Sequence, residues 1–458
     1  MTETTQEFSS FRDPSGFIYK KDNEIYRQVN FSYKEDYDLL MNSGLYEKLT
    51  SKKWLVEHIE VEPENGAYKT LKPQLIDYIS YPYEWSFSML KDAALLTLKI
   101  QKQALKHGMS LKDATAYNIQ FTKDASPIFI DTLSFEKFEE KPWNAYAQFC
   151  RHFLAPLLLI TYTDNRLQNL LRDYIDGIPL DLASKLLPFK TKINPSIMMH
   201  IHLHAKKTIQ LEGDASVNVK ALKMSKNQQL AIIDSLKDLV KSLKWQPQGT
   251  EWGEYYTFTN YSDESFNKKK EIVSGFIDKV QPKNLWDLGA NNGLFTRLGS
   301  EKGIPSIAFD IDPIAVEKNY LQIKTQKEEN LLSIISDLTN PTPAIGWANK
   351  ERMSFIQKGK ADVVMVLALI HHLSISNNLP FEKTASFFSE FAKNLIIEFV
   401  PKSDSKVKIL LSTREDIFPN YTEECFENEY SKYFDIIEKI KIDNTERTLY
   451  LMKNKKNI

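Results

Sequence analysis

The stretch NLWDLGANNGLFTRLGSEKG, residues 284–303, decides the fold of the C-terminal half of the chain. A short apolar run reaches Asp287 and enters a turn that contains Gly289, Asn291 and Gly293, after which LFTRLGSEKG has the pattern of a helix. Glycine permits a tight turn and close approach of a ligand to the backbone, and asparagine tolerates left-handed backbone angles. The stretch predicts a strand, a ligand-binding turn and a helix, with a purely structural turn as the alternative.

Strand-like and helix-like segments alternate outward from this stretch. Five short runs rich in Val, Ile and Leu are predicted strands, at residues 284–289, 305–312, 332–338, 361–369 and 394–400. The amphipathic pieces between them predict helices that cover a parallel sheet. Two further strand candidates, 434–442 and 447–454, are separated only by DNTE, too short for a parallel crossover, so they must pair antiparallel. The predicted fold is α/β: a Rossmann-like sheet of five parallel strands plus an antiparallel hairpin.

Acidic residues stand at the ends of the first three predicted strands. Asp310 ends the second strand, where a carboxylate can accept hydrogen bonds from both ribose hydroxyls. Asp287 leads the turn, and an acid at that place suits a positively charged ligand better than a pyrophosphate. Asp337 can accept from an adenine amino group, and Leu338 can contact the ring. The set predicts S-adenosylmethionine as cofactor, because it carries a sulfonium and an ammonium group and no phosphate.

These features resemble the class I S-adenosylmethionine-dependent methyltransferases over residues 284–454. The resemblance assigns Asp287, Gly289 and Gly293 to the first motif of that superfamily, and the terminal hairpin to its sixth and seventh strands. It assigns Asp310 to the ribose-binding acid and Asp337 to the adenine-side acid. The strings LTNPTPAIGWANKERMSF, VLALIHHLSISNN and IIEFVPKSDSKV resemble bacterial two-part methyltransferases related to a nodulation protein. The resemblance implies a methyltransferase and leaves its substrate open.

Candidate catalytic residues follow the fourth and fifth predicted strands. Methyl transfer depends mainly on alignment, and a hydroxyl acceptor is also helped by a nearby base. One of His371 and His372 is the candidate base, the alternative being a pair that only packs. Glu398 is a candidate to orient the imidazole or bind substrate, the alternative being an ion pair with Lys402 or Arg414. The NPPY-type tetrapeptide of amino-directed nucleic-acid methyltransferases is absent, which favours oxygen on a small-molecule or saccharide-type acceptor.

Four aromatic residues precede the first predicted strand: Trp252, Tyr255, Tyr256 and Tyr261. At this place they are expected either to cover the methionine moiety and exclude water from the reacting centre, or to pack the linker against the sheet.

The N-terminal half has a second signal of a different type. Asp113 is followed five positions on by Asn118, and Asp131 ends the strand-like PIFID. This spacing resembles the catalytic loop and metal-binding acid of kinase-like phosphotransferases, which implies an α+β domain whose Asn118 and Asp131 are candidate magnesium ligands. Leu111 and Lys112 depart from that pattern, and no glycine-rich phosphate loop precedes it. We therefore expect a degenerate kinase-like domain with weak nucleotide affinity.

Composition and the segments broken by glycine and proline predict the domain organisation. The predicted division is a kinase-like domain over 11–210, a helical linker over 211–250 and a methyltransferase domain over 251–458. The net charge of −1 and the two cysteines favour a cytoplasmic protein with no nucleic-acid partner. The N-terminus lacks a secretion signal, no apolar run is long enough to span a bilayer, and the oligomeric state is open. His200, His202 and His204 alternate as in a strand and are expected to be packed or solvated rather than metal ligands.

Three functions compete on these grounds. The leading hypothesis is an S-adenosylmethionine-dependent methyltransferase acting on an oxygen atom, with the kinase-like domain helping to hold the acceptor. The second is a phosphotransferase whose methyltransferase-like half is regulatory, and the third is a scaffold in which both sites are degenerate.

Overall fold

The computed structural model describes residues 5–22, 24–64, 66–206, 223–246, 263–412 and 414–456. The chain divides into two compact units. Unit 1 consists of Met1–Thr122, Ser126–Gln246 and Ala344–Arg352, and unit 2 consists of Lys123–Ala125, Pro247–Pro343 and Met353–Ile458. Two short segments, Lys123–Ala125 and Ala344–Arg352, thus belong to a different unit from the residues on either side of them in sequence. No sequence pattern indicated this assignment.

Unit 1 begins with a five-stranded sheet. Its strands are β1 Thr5–Gln6, β2 Gly16–Lys21, β3 Glu24–Val29, β4 His58–Val61 and β5 Lys69–Pro73. They pair antiparallel in the order β1-β2-β3-β5-β4. In the hairpin of β2 and β3, Lys21 pairs directly with Glu24. A turn this short is not the glycine-rich loop with which kinases cover phosphates.

The other strands of unit 1 form two small antiparallel pairs. Strand β6 (Met109–Leu111) pairs with β9 (Phe135–Lys137), and β7 (Ile119–Phe121) pairs with β8 (Pro127–Phe129). The candidate residues Asp113, Asn118 and Asp131 lie on the connections of these pairs.

Helices make up the rest of unit 1. They are α1 Lys34–Asn42, α2 Leu45–Thr50, α3 Phe87–Lys106, α4 Tyr146–Phe149, α5 Ala155–Tyr162, α6 Leu170–Asp173, α7 Leu180–Leu186, α8 Pro195–Ile197 and α9 Lys226–Ser242. Short 3₁₀ turns cover Phe31–Tyr33, Pro82–Glu84, Ala116–Asn118, Asn165–Asn169, Phe189–Lys192 and Trp347–Asn349, and π-helical turns cover Cys150–Leu154 and Met198–Leu203.

Helix α9 is the helix that the sequence predicted inside the linker. Ser225 and Gln228 form a capping box at its N-terminus, which satisfies backbone N–H groups of the first turn. The helix packs beside α3, where Lys102 Nζ lies 2.7 Å from Asp234 Oδ1. It therefore belongs to unit 1, while residues 207–222 and 247–262 on either side lie outside the described residues.

The three alternating histidines are helical, so the strand-like interpretation is wrong. His200 Nδ1 lies 2.7 Å from Tyr146 Oη, and His202 Nε2 lies 3.0 Å from Thr191 Oγ1. His204 stacks on the Tyr146 ring at 4.8 Å. Each ring is thus packed against a neighbour, as expected, and among the described residues no group of three His, Cys, Asp or Glu side chains is arranged to hold a metal.

Unit 2 is built on a seven-stranded mixed sheet. Its strands are β10 Leu285–Leu288, β11 Ser306–Asp310, β12 Leu331–Ile335, β13 Ala361–Val366, β14 Ala392–Phe399, β15 Phe434–Lys441 and β16 Thr448–Asn454. The order is β12-β11-β10-β13-β14-β16-β15, in which the first five strands are parallel and β16 pairs antiparallel with both neighbours. The predicted parallel sheet with a terminal antiparallel hairpin is confirmed.

Helices of unit 2 are α10 Asp263–Val280, α11 Arg297–Ser300, α12 Pro313–Gln326, α13 Phe381–Ser389, α14 Ser405–Ser412 and α15 Glu423–Tyr430, with a 3₁₀ turn at Ile356–Lys358 and a π-helical turn at His372–Ser376. Strands β10 and β11 are buried along their whole length, because both faces of the sheet are covered. On one face Val273 and Phe276 of α10 join an apolar cluster with Met365. Among the described residues, no helix has the length and apolar character needed to cross a bilayer.

Candidate active site

The glycine-rich turn after β10 has the backbone conformation that its sequence indicated. Gly289, Asn291 and Gly293 have φ angles of 77°, 51° and 77°. A Cβ on Gly293 would lie 2.5 Å from Asn319 Nδ2 and 2.9 Å from Arg297 Nη1, whereas a Cβ on Gly289 would first meet the flexible Leu369 side chain at 3.2 Å. Gly293 is therefore needed for packing of the turn on helix α12, and Gly289 lies where the turn borders a cavity.

Asp310 ends β11 beside this turn. Its Oδ2 accepts the backbone N–H of Asn291 at 2.7 Å, and its Oδ1 accepts that of Asp312 at 2.8 Å. Burial raises the pKa of Asp310 to about 6, against the lowering effect of these hydrogen bonds. The carboxylate is thus held in one orientation by two neighbouring backbone groups.

Asp287 is the most deeply buried acid of the cavity. Its Oδ2 accepts the hydroxyl of Thr296 at 2.6 Å. Burial raises its pKa to about 7, and the nearby Asp310 charge adds to this effect, while Thr296 and Lys269 oppose it. A buried carboxyl that is only partly ionised near neutral pH favours a cationic ligand, because a cation stabilises its charged form.

Asp337 and Leu338 follow β12 at the same edge of the sheet. The Asp337 Oδ1 accepts from the backbone N–H of Thr339 at 2.8 Å and from its hydroxyl at 2.6 Å. These two bonds define an Asx-type turn, which fixes the carboxylate at the cavity wall.

A cavity of about 380 Å³ lies at the carboxyl ends of the parallel strands. Its wall combines residues from six places: the glycine-rich turn, the end of β11, the end of β12, the segment after β13, helix α10 and helix α14. Aromatic and aliphatic side chains make most of the remaining wall, among them Phe266, Phe295, Leu338, Leu373 and Leu410. The volume is within the range of small-molecule sites, and the location is the one where open α/β sheets bind ligands.

The two histidines after β13 occupy different environments. His372 lines the cavity, whereas His371 is 1% exposed and lies behind the wall. Burial lowers the pKa of His372 to about 4, and it also lowers the pKa of His371 well below its usual value. The Nδ1 of His371 has no hydrogen-bond partner among the described residues. Both rings are neutral near pH 7, and His372 is the one that can reach a ligand.

Glu398 near the end of β14 is fully buried, at 0% exposure. Its Oε2 lies 2.6 Å from Lys269 Nζ, and its Oε1 lies 3.3 Å from Arg447 Nη1. The sequence had left an ion pair with Lys402 or Arg414 as the alternative, and that alternative is wrong. Its partners are on helix α10 and directly before β16, far away in sequence.

The same carboxylate holds the segment after β13. Oε2 of Glu398 accepts the backbone N–H of Ala368 at 2.7 Å. Ala368 has a φ of 49°, a left-handed conformation that costs a non-glycine residue about 1–3 kcal/mol, and it lines the cavity. A buried charge-assisted hydrogen bond therefore accompanies a strained backbone at the cavity wall.

Lys269 is a charged cavity residue that the sequence patterns did not identify. It lines the wall from helix α10, and its Nζ lies 4.8 Å from the centre of the Phe295 ring. Burial lowers the pKa of Lys269, and the Glu398 charge opposes this. A signal was available, because Lys269 falls on the apolar face of α10 with Ile272, Val273 and Phe276, at helical spacing.

The predicted metal-ligand pair in unit 1 lies in a polar cluster. Asp131 Oδ1 lies 2.9 Å from Arg27 Nη2, and its Oδ2 accepts the Ser134 hydroxyl at 2.6 Å. Asn118 Nδ2 donates to the same hydroxyl at 3.1 Å. Burial raises the pKa of Asp113, to which the Asp131 charge contributes. The three predicted residues are thus brought together, with a guanidinium bound to the acid expected to hold the metal.

The predicted aromatic cover, Trp252, Tyr255, Tyr256 and Tyr261, lies outside the described residues.

The sheet order and the acids at its carboxyl edge define unit 2 as a Rossmann-like α/β unit with a ligand-sized cavity at that edge. No family model matches the chain. The chain is 33% identical to nodulation protein NoeA of Rhizobium meliloti (strain 1021) over 453 residues, which cover 96% of this chain and 94% of that protein. The chain belongs to the family of this nodulation protein.

Two solved structures are similar to parts of the chain at low TM-scores. Magnesium protoporphyrin IX methyltransferase (ChlM) from Synechocystis PCC 6803 with bound SAH has a TM-score of 0.31 at 14% identity, covering 43% of this chain and 90% of that one. The bifunctional kinase-methyltransferase WbdD has a TM-score of 0.29 at 15% identity, covering 42% of this chain and 40% of that one. These scores are too low to bear on activity.

Proposed function

We propose that this protein is an S-adenosylmethionine-dependent methyltransferase that acts on an oxygen atom of a small-molecule or saccharide-type acceptor. The observation that carries the proposal is the meeting of Asp287, Asp310 and Asp337 at one cavity beside the glycine-rich turn. Their carboxylates lie beside apolar side chains of the cavity wall. S-adenosylmethionine is a sulfonium nucleoside without phosphate groups, so the cavity needs no basic residue to bind phosphate. The residues present fit this cofactor.

Each acid has a distinct role in the proposal. Asp310 accepts the ribose hydroxyl hydrogens, since its two oxygens are already oriented by backbone N–H groups. Asp287 faces the positively charged end of the ligand, because its raised pKa is relieved by a cation. Asp337 accepts from the adenine amino group, and Leu338 packs on the ring.

The cofactor would supply an electrophilic methyl group, and the protein has to align the acceptor with it and exclude water. His372 is the proposed general base, because it lines the cavity and is neutral near pH 7. His371 is proposed to pack behind it. Neutral oxygen acceptors need such a base, whereas an already ionised acceptor would need alignment alone.

Glu398 is proposed to act on position rather than on chemistry. It lies behind the wall, and its hydrogen bond to Ala368 N holds the left-handed turn that borders the cavity. Lys269 and Arg447 neutralise its charge, so the clamp does not leave an unpaired buried carboxylate.

Calorimetric titration with S-adenosylhomocysteine tests the proposal without knowledge of the acceptor. We expect binding to the wild-type protein, weakened by about 1.5–3 kcal/mol in Asp310→Ala, because a charged hydrogen-bond partner of ribose is lost. Asp362→Asn is the matched control, since Asp362 lies near the start of β13 and pairs with Lys393, away from the cavity. Equal affinities for Asp310→Ala and Asp362→Asn would contradict the ribose assignment.

The alternative function, a phosphotransferase of the kinase-like type, has an observation against it. Magnesium at Asp131 would have to compete with the Arg27 guanidinium 2.9 Å away. We therefore propose a holding role for unit 1 and weak or no binding of ATP with magnesium. ATP turnover that disappears in Asp131→Ala would overturn this and favour the phosphotransferase.

A further inference from the structure

The most exposed apolar side chains of unit 1 form a surface that neither proposed site uses. Phe189 and Ile193 are 74% and 73% exposed, the two highest values among the large apolar side chains in the described part of the chain. Phe189 begins the short 3₁₀ turn Phe189–Lys192, and Ile193 directly follows it. Hydrophobic side chains this exposed on one turn mark an interaction surface rather than a core.

A second pair of exposed apolar residues lies on the adjacent helical segment. Met199 and Leu203 are also exposed, and they lie four positions apart on the helical segment Met198–Leu203. Residues at this spacing share one face of a helix. Thr191, buried under the turn, bonds to His202 of that segment at 3.0 Å, so the two elements are adjacent. We call Phe189, Ile193, Met199 and Leu203 the apolar tip.

The tip is held rigidly from below. The Thr191 hydroxyl donates to the Pro188 carbonyl at 2.7 Å, and His202 Nδ1 lies 2.8 Å from Ser184 Oγ. Asn194 caps the following helix by accepting from the backbone N–H groups of Ser196 and Ile197. The exposed side chains therefore project from an ordered scaffold, so little conformational entropy is lost on docking.

The segment of chain that carries the tip is basic. Residues 182–206 contain four lysines and neither aspartate nor glutamate. Lys190 and Lys192 lie within the turn itself, and both are exposed. Lys185 pairs with Asp181 at 3.4 Å, so the basic character rests on the lysines of the turn and on Lys206.

We propose that the apolar tip docks on the surface of an anionic lipid bilayer. Phe and Ile would enter the boundary between headgroups and acyl chains, while the lysines contact lipid phosphates. Lysine is depleted in protein–protein interfaces, which disfavours a protein partner for this surface. The attachment is peripheral, and the proposal is independent of the proposed methyltransferase activity.

Co-sedimentation of the full chain with vesicles tests the proposal. We expect binding to vesicles of phosphatidylcholine mixed with phosphatidylglycerol, and much weaker binding to phosphatidylcholine alone. High salt should reduce the binding, because exposed charges are screened. Equal sedimentation with both vesicle types, or none with either, would overturn the proposal.

Matched variants locate the surface. Ile193→Ser should lower partitioning at least about fivefold, whereas Ile59→Ser, at a residue 62% exposed on strand β4, should leave it unchanged. Lys190→Glu should likewise lower partitioning at least about fivefold, since each lysine near the surface contributes about this factor and the new carboxylate is repelled by the lipid. Lys52→Glu is its control, because Lys52 and Lys190 have matching contacts: the Nζ atom of each lies 5.4 Å from the centre of an aromatic ring.

Light scattering after size exclusion identifies the competing occupant. A dimer of the wild-type chain that Ile193→Ser dissolves, without any vesicle binding, would assign the tip to a second copy and overturn the membrane proposal. Wild-type levels of vesicle binding in both Ile193→Ser and Lys190→Glu would also overturn it.

Discussion

The backbone N–H of Asn291 donates to Oδ2 of Asp310 at 2.7 Å, which joins the glycine-rich turn after β10 to the acid at the end of β11. Asn291 is in the left-handed region, with a φ of 51°, so its N–H direction depends on the shape of the turn. The acid proposed to bind ribose and the turn proposed to approach the ligand are thus one unit. A change in either should alter both.

Substitutions of the two glycines in the turn should have different effects on ligand binding and on stability. Gly289→Val should abolish binding of S-adenosylhomocysteine, because a branched side chain at a φ of 77° enters the cavity edge and strains the turn. Gly293→Ala should mainly lower the melting temperature, because its Cβ would clash with Asn319 Nδ2 at 2.5 Å. Calorimetry and thermal melts measure the two effects. Retained binding in Gly289→Val would make the turn purely structural.

Affinity for S-adenosylhomocysteine should depend on pH. The pKa values of Asp287 and Asp310 are raised to about 7 and about 6, so part of each carboxyl is protonated in neutral solution. A ligand that donates hydrogen bonds and carries an ammonium group favours the ionised forms. Affinity should therefore fall as the pH is lowered through 7 and 6, with protons released on binding. Titrations in buffers of different ionisation enthalpy measure that release, and a flat affinity profile would contradict these roles.

Asp287→Asn should weaken binding of S-adenosylhomocysteine and stabilise the folded protein at alkaline pH. A carboxyl whose pKa is raised by folding binds more protons in the folded state, so its burial destabilises the protein increasingly as the pH rises from the unfolded value toward 7. The variant should have a higher melting temperature than the wild type at pH 8, a smaller difference at pH 5, and weaker ligand binding. Equal melting temperatures at pH 8 would show that Asp287 is not destabilising there.

The histidines should differ once an acceptor is found. His372→Ala should lower the single-turnover rate by roughly 100-fold to 10,000-fold, with nearly unchanged affinity for S-adenosylhomocysteine, if it removes the proton. His371→Ala should instead lower the melting temperature, since it is buried behind the wall. With a His372 pKa of about 4, its protonation should not limit the rate above pH 6. Wild-type rates in both variants would leave alignment alone to carry the reaction.

The role of Glu398 can be tested by rescue. Glu398→Gln should weaken binding of S-adenosylhomocysteine about 10-fold, since loss of a charge-assisted hydrogen bond frees the strained Ala368 turn. Adding Ala368→Gly should restore most of this affinity, because glycine adopts the left-handed conformation without cost. Glu438→Gln, which removes an exposed ion pair with Lys279, is the control. A loss of affinity that Ala368→Gly does not restore would make Glu398 purely structural.

Local sequence patterns predicted the strands of the sheet well, and they predicted contacts between residues distant in sequence poorly. Buried parallel strands are continuous apolar runs, so the predicted 394–400 is found at Ala392–Phe399. The predicted 434–442 is found at Phe434–Lys441, an antiparallel strand at the edge of the sheet. The alternating histidines were misread because residues two apart suggest a strand, whereas contacts with Tyr146 and Thr191 fix them in a helix. Partners that meet only through the fold leave no local pattern.

In the candidate site, too, residues placed by local patterns were predicted and partners distant in sequence were not. Acids at strand ends were visible because parallel strands bring their carboxyl ends to one edge. The partners of Glu398 were not, since Lys269 lies 129 positions away and Arg447 lies 49 positions away in sequence. The Arg27–Asp131 ion pair was hidden for the same reason, because strand β3 and the segment after β8 are far apart in the chain.

Equilibrium dialysis with radiolabelled S-adenosylmethionine measures whether the chain binds this cofactor. We expect the wild-type chain to retain one equivalent of label, which unlabelled S-adenosylhomocysteine displaces and ATP with magnesium does not. Absence of retained label, or displacement by ATP with magnesium, would contradict this expectation.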